Sequence, residues 1–447
     1  MQGQLPQAWL DASVTPIFKK GDKLSADNYR PISMVPIVSK IAERIISDKL
    51  LPFLLSADII PEQQHGFLPG RSVLTNLLPC VNYWSESLDR GMPVDVIYLD
   101  FSRAFDRVPR RRLLCKLEHF GIRGRLLAWI SSFLSDRSFS VKVGEIYSDK
   151  QSVLSGVPQG TVLGPVLFLV YIADLARMLN TNFAFYADDL KIFANPSSTR
   201  NLLFDDLLTL SKWCSDWLLP LNTRKCSVLH LGAQNPRLQY SIDGMLISAA
   251  EVQNDLGVLI SSNLSWSEHI LAVTRRANRL LYLMKRAFTG CSLELYVRLY
   301  TTYVRPLLEH GGPVWCPVLV RDSVLLESIQ RRATRLAYGV LRPTYEDRLR
   351  LSGLSYFSER RLRGDLILCY RALHNMLGAD LSYMFELSQS HLRGHSLKLK
   401  KERFSTTARQ VFFTNRVFEA WNGLPEEVVS APTVNAFKNR LDRLREW

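Results

Sequence analysis

The sequence has no long apolar run. Its most apolar stretch, Val162 to Ala173, contains Gly164 and Pro165 and falls short of the roughly 18 residues that a membrane-spanning helix needs. No charged-then-apolar leader opens the chain, so neither a membrane partner nor a secretory route is expected, and the reading is an intracellular protein. Cysteine is scattered: the seven lie at 80, 115, 214, 226, 291, 316 and 369, an odd total with no C-x-x-C pair. That argues against a disulfide framework or a zinc module and suits buried thiols in a reducing compartment. There is no low-complexity tract and no clear internal repeat, so neither a solenoid nor a disordered array is expected.

What is present is ordinary globular composition, 47% hydrophobic and 22% charged over 447 residues, enough for two or three domains. The formal net charge is +14 and it is unevenly placed. Residues 261–447 carry 29 Lys and Arg against 17 Asp and Glu, whereas residues 1–260 are close to balance, with 27 against 25. Lys and Arg displace counterions from phosphates, so a polyanion such as RNA or DNA is the partner this distribution suits. Plain solubility is the alternative on charge alone.

Two stretches carry chemistry. In Phe183-Ala184-Phe185-Tyr186-Ala187-Asp188-Asp189-Leu190-Lys191-Ile192-Phe193 two adjacent carboxylates separate two apolar, aromatic-rich runs, the pattern of a strand, a tight turn and a second strand. Neighbouring carboxylates raise each other's pKa unless cations neutralise them, and hard oxygen donors suit Mg²⁺ or Mn²⁺. Taken alone, the stretch reads equally as an exposed acidic turn. A further apolar strand, Val96 to Leu99, ends in Asp100. Three carboxylates from two strands could build a site for two metal ions, which sit about 3.5–4 Å apart in such centres.

The Ala-Asp-Asp stretch resembles motif C of reverse transcriptases, and Leu99 to Asp106 resembles motif A. Over essentially its whole length the chain is similar to the polymerase region of non-LTR retrotransposons, the LINE and Jockey-like elements. The resemblance implies an α+β right-hand polymerase: fingers and palm over residues 1–262, a mostly α-helical thumb-like region over 263–390, and a tail over 391–447 whose role is not readable. It implies RNA-directed DNA synthesis, with RNA template, DNA primer and dNTPs as partners. Asp100, Asp188 and Asp189 would hold two Mg²⁺ or Mn²⁺ ions, with the backbone carbonyl of Phe101 as an extra ligand and Asp106 outside the set.

Other motifs follow in order. The run Val14 to Phe18, the loop Lys19-Lys20-Gly21-Asp22 and Asn28 to Ser33 read as a hairpin. By resemblance it is the fingers hairpin, with Lys19 and Arg30 on the triphosphate. Residues 34–60 read as a helix, with Ile37, Ile41, Ile45 and Leu50 at helical spacing. Gln64 to Ser72 resembles the family's Q-x-G-F-x-x-G-R-S motif on the template path. There Gly66 permits close backbone approach, and Arg71 is either a template-phosphate contact or structural. Residues 72–90 read as a helix capped by Ser72. Ser155 to Thr161 resembles motif B, with Gln159 near the nucleotide; the family usually has Asn where this chain has Ala173. Lys225 resembles the motif D general acid, a surface lysine being an equal alternative. Leu256 and Gly257 lie in a primer-grip-like turn. Phe105, five residues after Asp100, resembles the aromatic that excludes a 2′-hydroxyl, or is a core aromatic. Beyond Ser267 the pattern is helical, and Arg275, Arg276, Arg331 and Arg332 suit a thumb that follows the duplex backbone. The cluster Lys398, Lys400 and Lys401 is a weak nuclear-targeting signal, and the expected location is nucleus and cytoplasm.

Longer elements of this kind carry an endonuclease and an N-terminal extension ahead of the fingers. Neither is recognisable here, so the sequence reads as a fragment or relic of a longer polyprotein. Two rivals stay open: an inactive nucleic-acid-binding relic, and an RNA-dependent RNA polymerase on a similar palm, where Gly-Asp-Asp is commoner than Ala-Asp-Asp.

Overall fold

The structure, a computed structural model, describes residues 5–19, 21–197, 202–288, 290–338, 343–388 and 394–445. Lys20 of the hairpin loop and the expected thumb–tail boundary at 390 lie outside the described residues. The fold is of the α+β class, built on one central strand. Val94–Leu99 is buried along its whole length. Its alternation feeds two cores: Val94, Val96 and Tyr98 face one, Ile97 and Leu99 the other. Such a strand must be covered on both faces, and it is flanked on both edges as well. Antiparallel neighbours are Asp189–Ala194 on one side and Ser227–Leu231 on the other. Asn182–Tyr186 and Ser248–Ala250 complete a five-stranded palm sheet.

The fingers carry a second sheet. Asp11–Phe18 pairs antiparallel with Tyr29–Met34, Ile17 opposite Arg30, and parallel with Ser138–Val143. Helix Ile37–Ser56 turns its face contrary to simple expectation. Ile37, Ile41 and Ile45 are 77%, 56% and 64% exposed, while Ser39, Glu43 and Ser47 are buried and only Leu50 of the spaced apolar set faces the core. The cause is Glu43. Its Oε2 accepts the backbone N–H groups of Val162 and Leu163, at 2.7 and 3.0 Å. These are unpaired donors at the start of helix Leu163–Ile172, buried except at Pro165, where the helix dipole also favours a carboxylate.

A buried lysine ties the palm helices together. The Lys116 amine lies 3.6 Å from the ring centre of Trp217 and within 5 Å of Tyr171 and Trp213, and it bonds Asp174 at 2.5 Å. Beyond Ser261 the chain is helical, led by Ser267–Ala287, Val320–Tyr338 and Phe357–Leu373. Phe412, Phe413, Val417, Trp421, Phe437 and Leu441 belong to the same hydrophobic core as Val94 and Val96. Asp89, at the end of helix Val73–Asp89, accepts hydrogen bonds from Ser405 and Thr406. The buried Arg409 reaches Asn82 and Ser85 of that helix. Among the described residues no helix is long and apolar enough to cross a membrane.

Candidate active site

The three aspartates are delivered by register. Leu99 pairs with Leu190, so Asp100, one residue on, arrives beside Asp189. The hairpin closes with Tyr186 opposite Asp189, leaving Ala187 and Asp188 as a two-residue turn. Ala187 has φ 58°. Burial raises the Asp188 carboxyl above the usual range; Asp100 adds to this, while Lys225 and Lys19 oppose it. Asp189 keeps an accessible edge, yet loss of water around its carboxyl, reinforced by Asp188 and Asp100, pushes it up to about 6. Lys225 Nζ stands 2.8 Å from Asp100 Oδ2.

All the converging donors are hard carboxylate oxygens, and each aspartate raises its neighbours' affinity for a positive charge; that chemistry fits a divalent cation. Among the described residues, no group of three His, Cys, Asp or Glu stands close enough to hold an ion as arranged. In the present geometry Lys225 supplies the positive charge at Asp100. A polar cleft of about 210 Å³ opens here, lined by Asp100, Asp189, Lys191 and Lys225 on one side and Gln253, Asn254, Asp255 and Leu256 on the other.

Residues 17–266 match the reverse transcriptase (RNA-dependent DNA polymerase) family. The chain belongs to that family. Relatives include a probable RNA-directed DNA polymerase from transposon BS of Drosophila melanogaster, 28% identical over 74% of this chain and 38% of its own length. The RNA-directed DNA polymerase from the mobile element jockey of the same fly is 28% identical over 70% of this chain and 36% of its own. The chain thus spans little more than a third of the length of these relatives. Among solved structures, a telomerase of Candida tropicalis in complex with a fragment of telomeric RNA is 12% identical, with TM-score 0.45, over 85% of this chain and 65% of its own. The reverse transcriptase family generally uses divalent metal ions.

Against the right-hand polymerase fold of this family, the other expected residues fall as follows. Lys19 begins the fingers loop, and its charge reaches Asp188; Arg30 is exposed on the partner strand. The Gln159 amide donates to Asp106 Oδ1 at 2.8 Å, and the Gln159 carbonyl accepts from Ser33 N–H. Burial raises the Asp106 carboxyl. Phe105 stacks on Phe168 at 4.6 Å and meets the edge of Phe67 at 5.9 Å. Phe101 is buried, its ring against Trp213. The Arg71 guanidinium donates to the backbone carbonyls of Glu62, Gln64 and Gly378. Leu256 (φ 49°) and Gly257 (φ 88°) form the turn between Val252–Asp255 and Val258–Ser261, and His310 Nε2 lies 2.9 Å from the Leu256 carbonyl. Arg275 and Arg276 are exposed on helix Ser267–Ala287. Arg331 stacks on Tyr345, and Arg332 donates to Asn278.

Sequence reasoning gave no role to three residues that touch the site. Lys191 and Asp255 form a buried ion pair of 2.5 Å beside Asp189. A lysine inside an apolar strand was the available signal, since lysine is almost never buried unpaired. Gln64 contacts the Ala187–Asp188 turn itself; the motif containing it was visible, its contact was not.

Proposed function

We propose that this chain extends a primer 3′-hydroxyl with dNTPs on an RNA template, as an RNA-directed DNA polymerase of a non-LTR retrotransposon acting in the nucleus and cytoplasm. The observation that carries the reading is the register that sets Asp100 beside Asp189 and its neighbour Asp188, with Asp100, Asp189 and Leu256 lining one cleft. Asp100, Asp188 and Asp189, with the Phe101 carbonyl, would hold two Mg²⁺ or Mn²⁺ ions. Such ions, when bound, neutralise charge on the α-phosphate and make the hydroxyl a better nucleophile.

The chain's own groups do the rest. Lys19 and Arg30 hold the triphosphate, Lys as a point charge and Arg as a fork. Lys225, released from Asp100 as substrate arrives, donates a proton to the departing pyrophosphate. Gln159, fixed by Asp106 and Ser33, presents the loop on which the base pair rests. Phe105 closes the space under the sugar. The Leu256–Gly257 turn supports the primer end, and Gly66 and Arg71 shape the loop along the template path. Arg275, Arg276, Arg331 and Arg332 follow the duplex backbone. Positioning and charge neutralisation supply most of the rate.

Primer extension on an RNA template with dNTPs and Mg²⁺ tests the reading. Product should appear with the parent chain and vanish with Asp188→Asn, while circular dichroism stays unchanged. Primer–template binding without extension by the parent would instead favour a nucleic-acid-binding relic.

A further inference from the structure

The turn that carries Asp188 has an unusual conformation for its sequence. A two-residue hairpin turn with positive φ at its first central position favours glycine there, and the residue present is Ala187, at φ 58°. A non-glycine residue in the left-handed region costs of order 1 kcal/mol and persists only where its surroundings over-determine it. Ala187 is also 6% exposed, so its N–H and C=O need partners inside the protein.

Both partners come from one side chain. Gln64 is 1% exposed. Its Oε1 accepts from Ala187 N–H at 2.8 Å and from Gly66 N–H at 2.7 Å, and its Nε2 donates to the Ala187 carbonyl at 3.2 Å. The backbone on either side is pinned too. Phe185 N–H donates to Gln63 O and His65 N–H to Phe185 O, both at 2.9 Å, and the Asn76 amide donates to Phe185 O at 3.0 Å. Residue 66 has to be glycine for this approach, because a Cβ there would lie 2.2 Å from Ala187 N.

We propose that Gln64 is a positioning residue: its amide holds the Ala187–Asp188 turn in the conformation that aims Asp188 and Asp189 at Asp100. It touches no reacting atom. Groups that orient metal ligands typically change metal affinity or activity by about 10–100-fold when removed. The inference rests on the polymerase reading above.

Gln64→Met keeps the length of the side chain and loses all three hydrogen bonds. Mn²⁺ titration of the free protein, followed by electron paramagnetic resonance, should show affinity down by about tenfold or more. In primer extension kcat should fall by a similar factor, with KM for dNTP within about twofold. A second variant separates aiming from mere stability. Ala187→Gly removes the strain, so Gln64→Met/Ala187→Gly should regain melting temperature yet stay weak for Mn²⁺, because the turn is no longer aimed. Parent-like Mn²⁺ affinity and kcat in Gln64→Met would overturn the proposal. So would recovery of Mn²⁺ affinity together with stability in the double variant. The parent is measured first, so a failure of the polymerase reading appears there as absent Mn²⁺ binding and extension, whereas failure of the Gln64 role appears only in the variants.

Discussion

Replacing Lys191 by Met leaves the Asp255 carboxylate buried without its cation. The two side chains are 5% and 6% exposed and 2.5 Å apart. Lys191 sits opposite Tyr98 on the central strand, two residues after Asp189, and Asp255 immediately precedes the Leu256–Gly257 turn. Breaking a buried pair on one side costs about 3–5 kcal/mol, because the remaining charge is left desolvated. Replacing both partners by apolar groups of similar size is often neutral. Lys191→Met should therefore lose about 3–5 kcal/mol, and Lys191→Met/Asp255→Leu should recover most of it. Urea unfolding of the four proteins in a double-mutant cycle measures the coupling, expected at about 2 kcal/mol or more. Because the pair joins the carboxylate hairpin to the Leu256–Gly257 turn, which we propose supports the primer end, both single variants should raise KM for primer–template more than KM for dNTP. A loss below about 1 kcal/mol for Lys191→Met, or strict additivity in the cycle, would refute the idea that this pair joins the two hairpins.

Phe105→Val should lower the kcat/KM ratio of dNTP to rNTP by about tenfold or more on one template; an unchanged ratio in an active variant means that Phe105 is only a core ring against Phe168. Charge removal at Arg275 and Arg276, both exposed on helix Ser267–Ala287, should flatten the slope of log affinity against log salt by about one for each phosphate no longer neutralised, with melting temperature unchanged; an unaltered slope takes this helix face off the duplex path. Burial lowers His65 to about 3 and His269 to about 4, below the ordinary 6.5, so the unfolded chain binds protons that the folded one refuses. Their stabilising effect is whole above pH 6.5 and is lost as pH falls toward 4, by about 2 kcal/mol each at pH 5. Unfolding midpoints from pH 7 to 5 should show this decline, and His269→Gln should make it shallower by one proton.

Much of the site was legible because it is local. An apolar strand leading into Asp100, a turn that carries Asp188 just before the strand beginning at Asp189, and the Ser72 cap of helix Val73–Asp89 all follow from residues within a few positions of one another. The Leu256–Gly257 turn was legible for the same reason. Long-range pairings were not. Periodicity groups Ile37, Ile41 and Ile45 on one side of a helix, but it does not say which way that side points. Glu43 settles the direction by bonding N–H groups far along the chain, at Val162 and Leu163. Likewise the Gln64 motif was readable as a motif, while its hydrogen bonds to Ala187 depend on a backbone conformation that no spacing rule encodes. Arg71 shows the same limit: a phosphate contact and a structural role were both open from its sequence, and its observed partners are three backbone carbonyls.

The shared core of the central strand and the last helices bears on how the protein is made. Val94 and Val96 leave the ribosome long before Phe437 and Leu441, with which they share one hydrophobic core. At about 5–20 residues per second, one face of the nascent palm waits tens of seconds for its cover. A premature stop codon in the final helices would therefore act like a lesion in the palm, although no residue it deletes lies near the aspartates. A change that removes Phe437 and Leu441 is therefore as damaging to the palm as a change in the motifs that name the family.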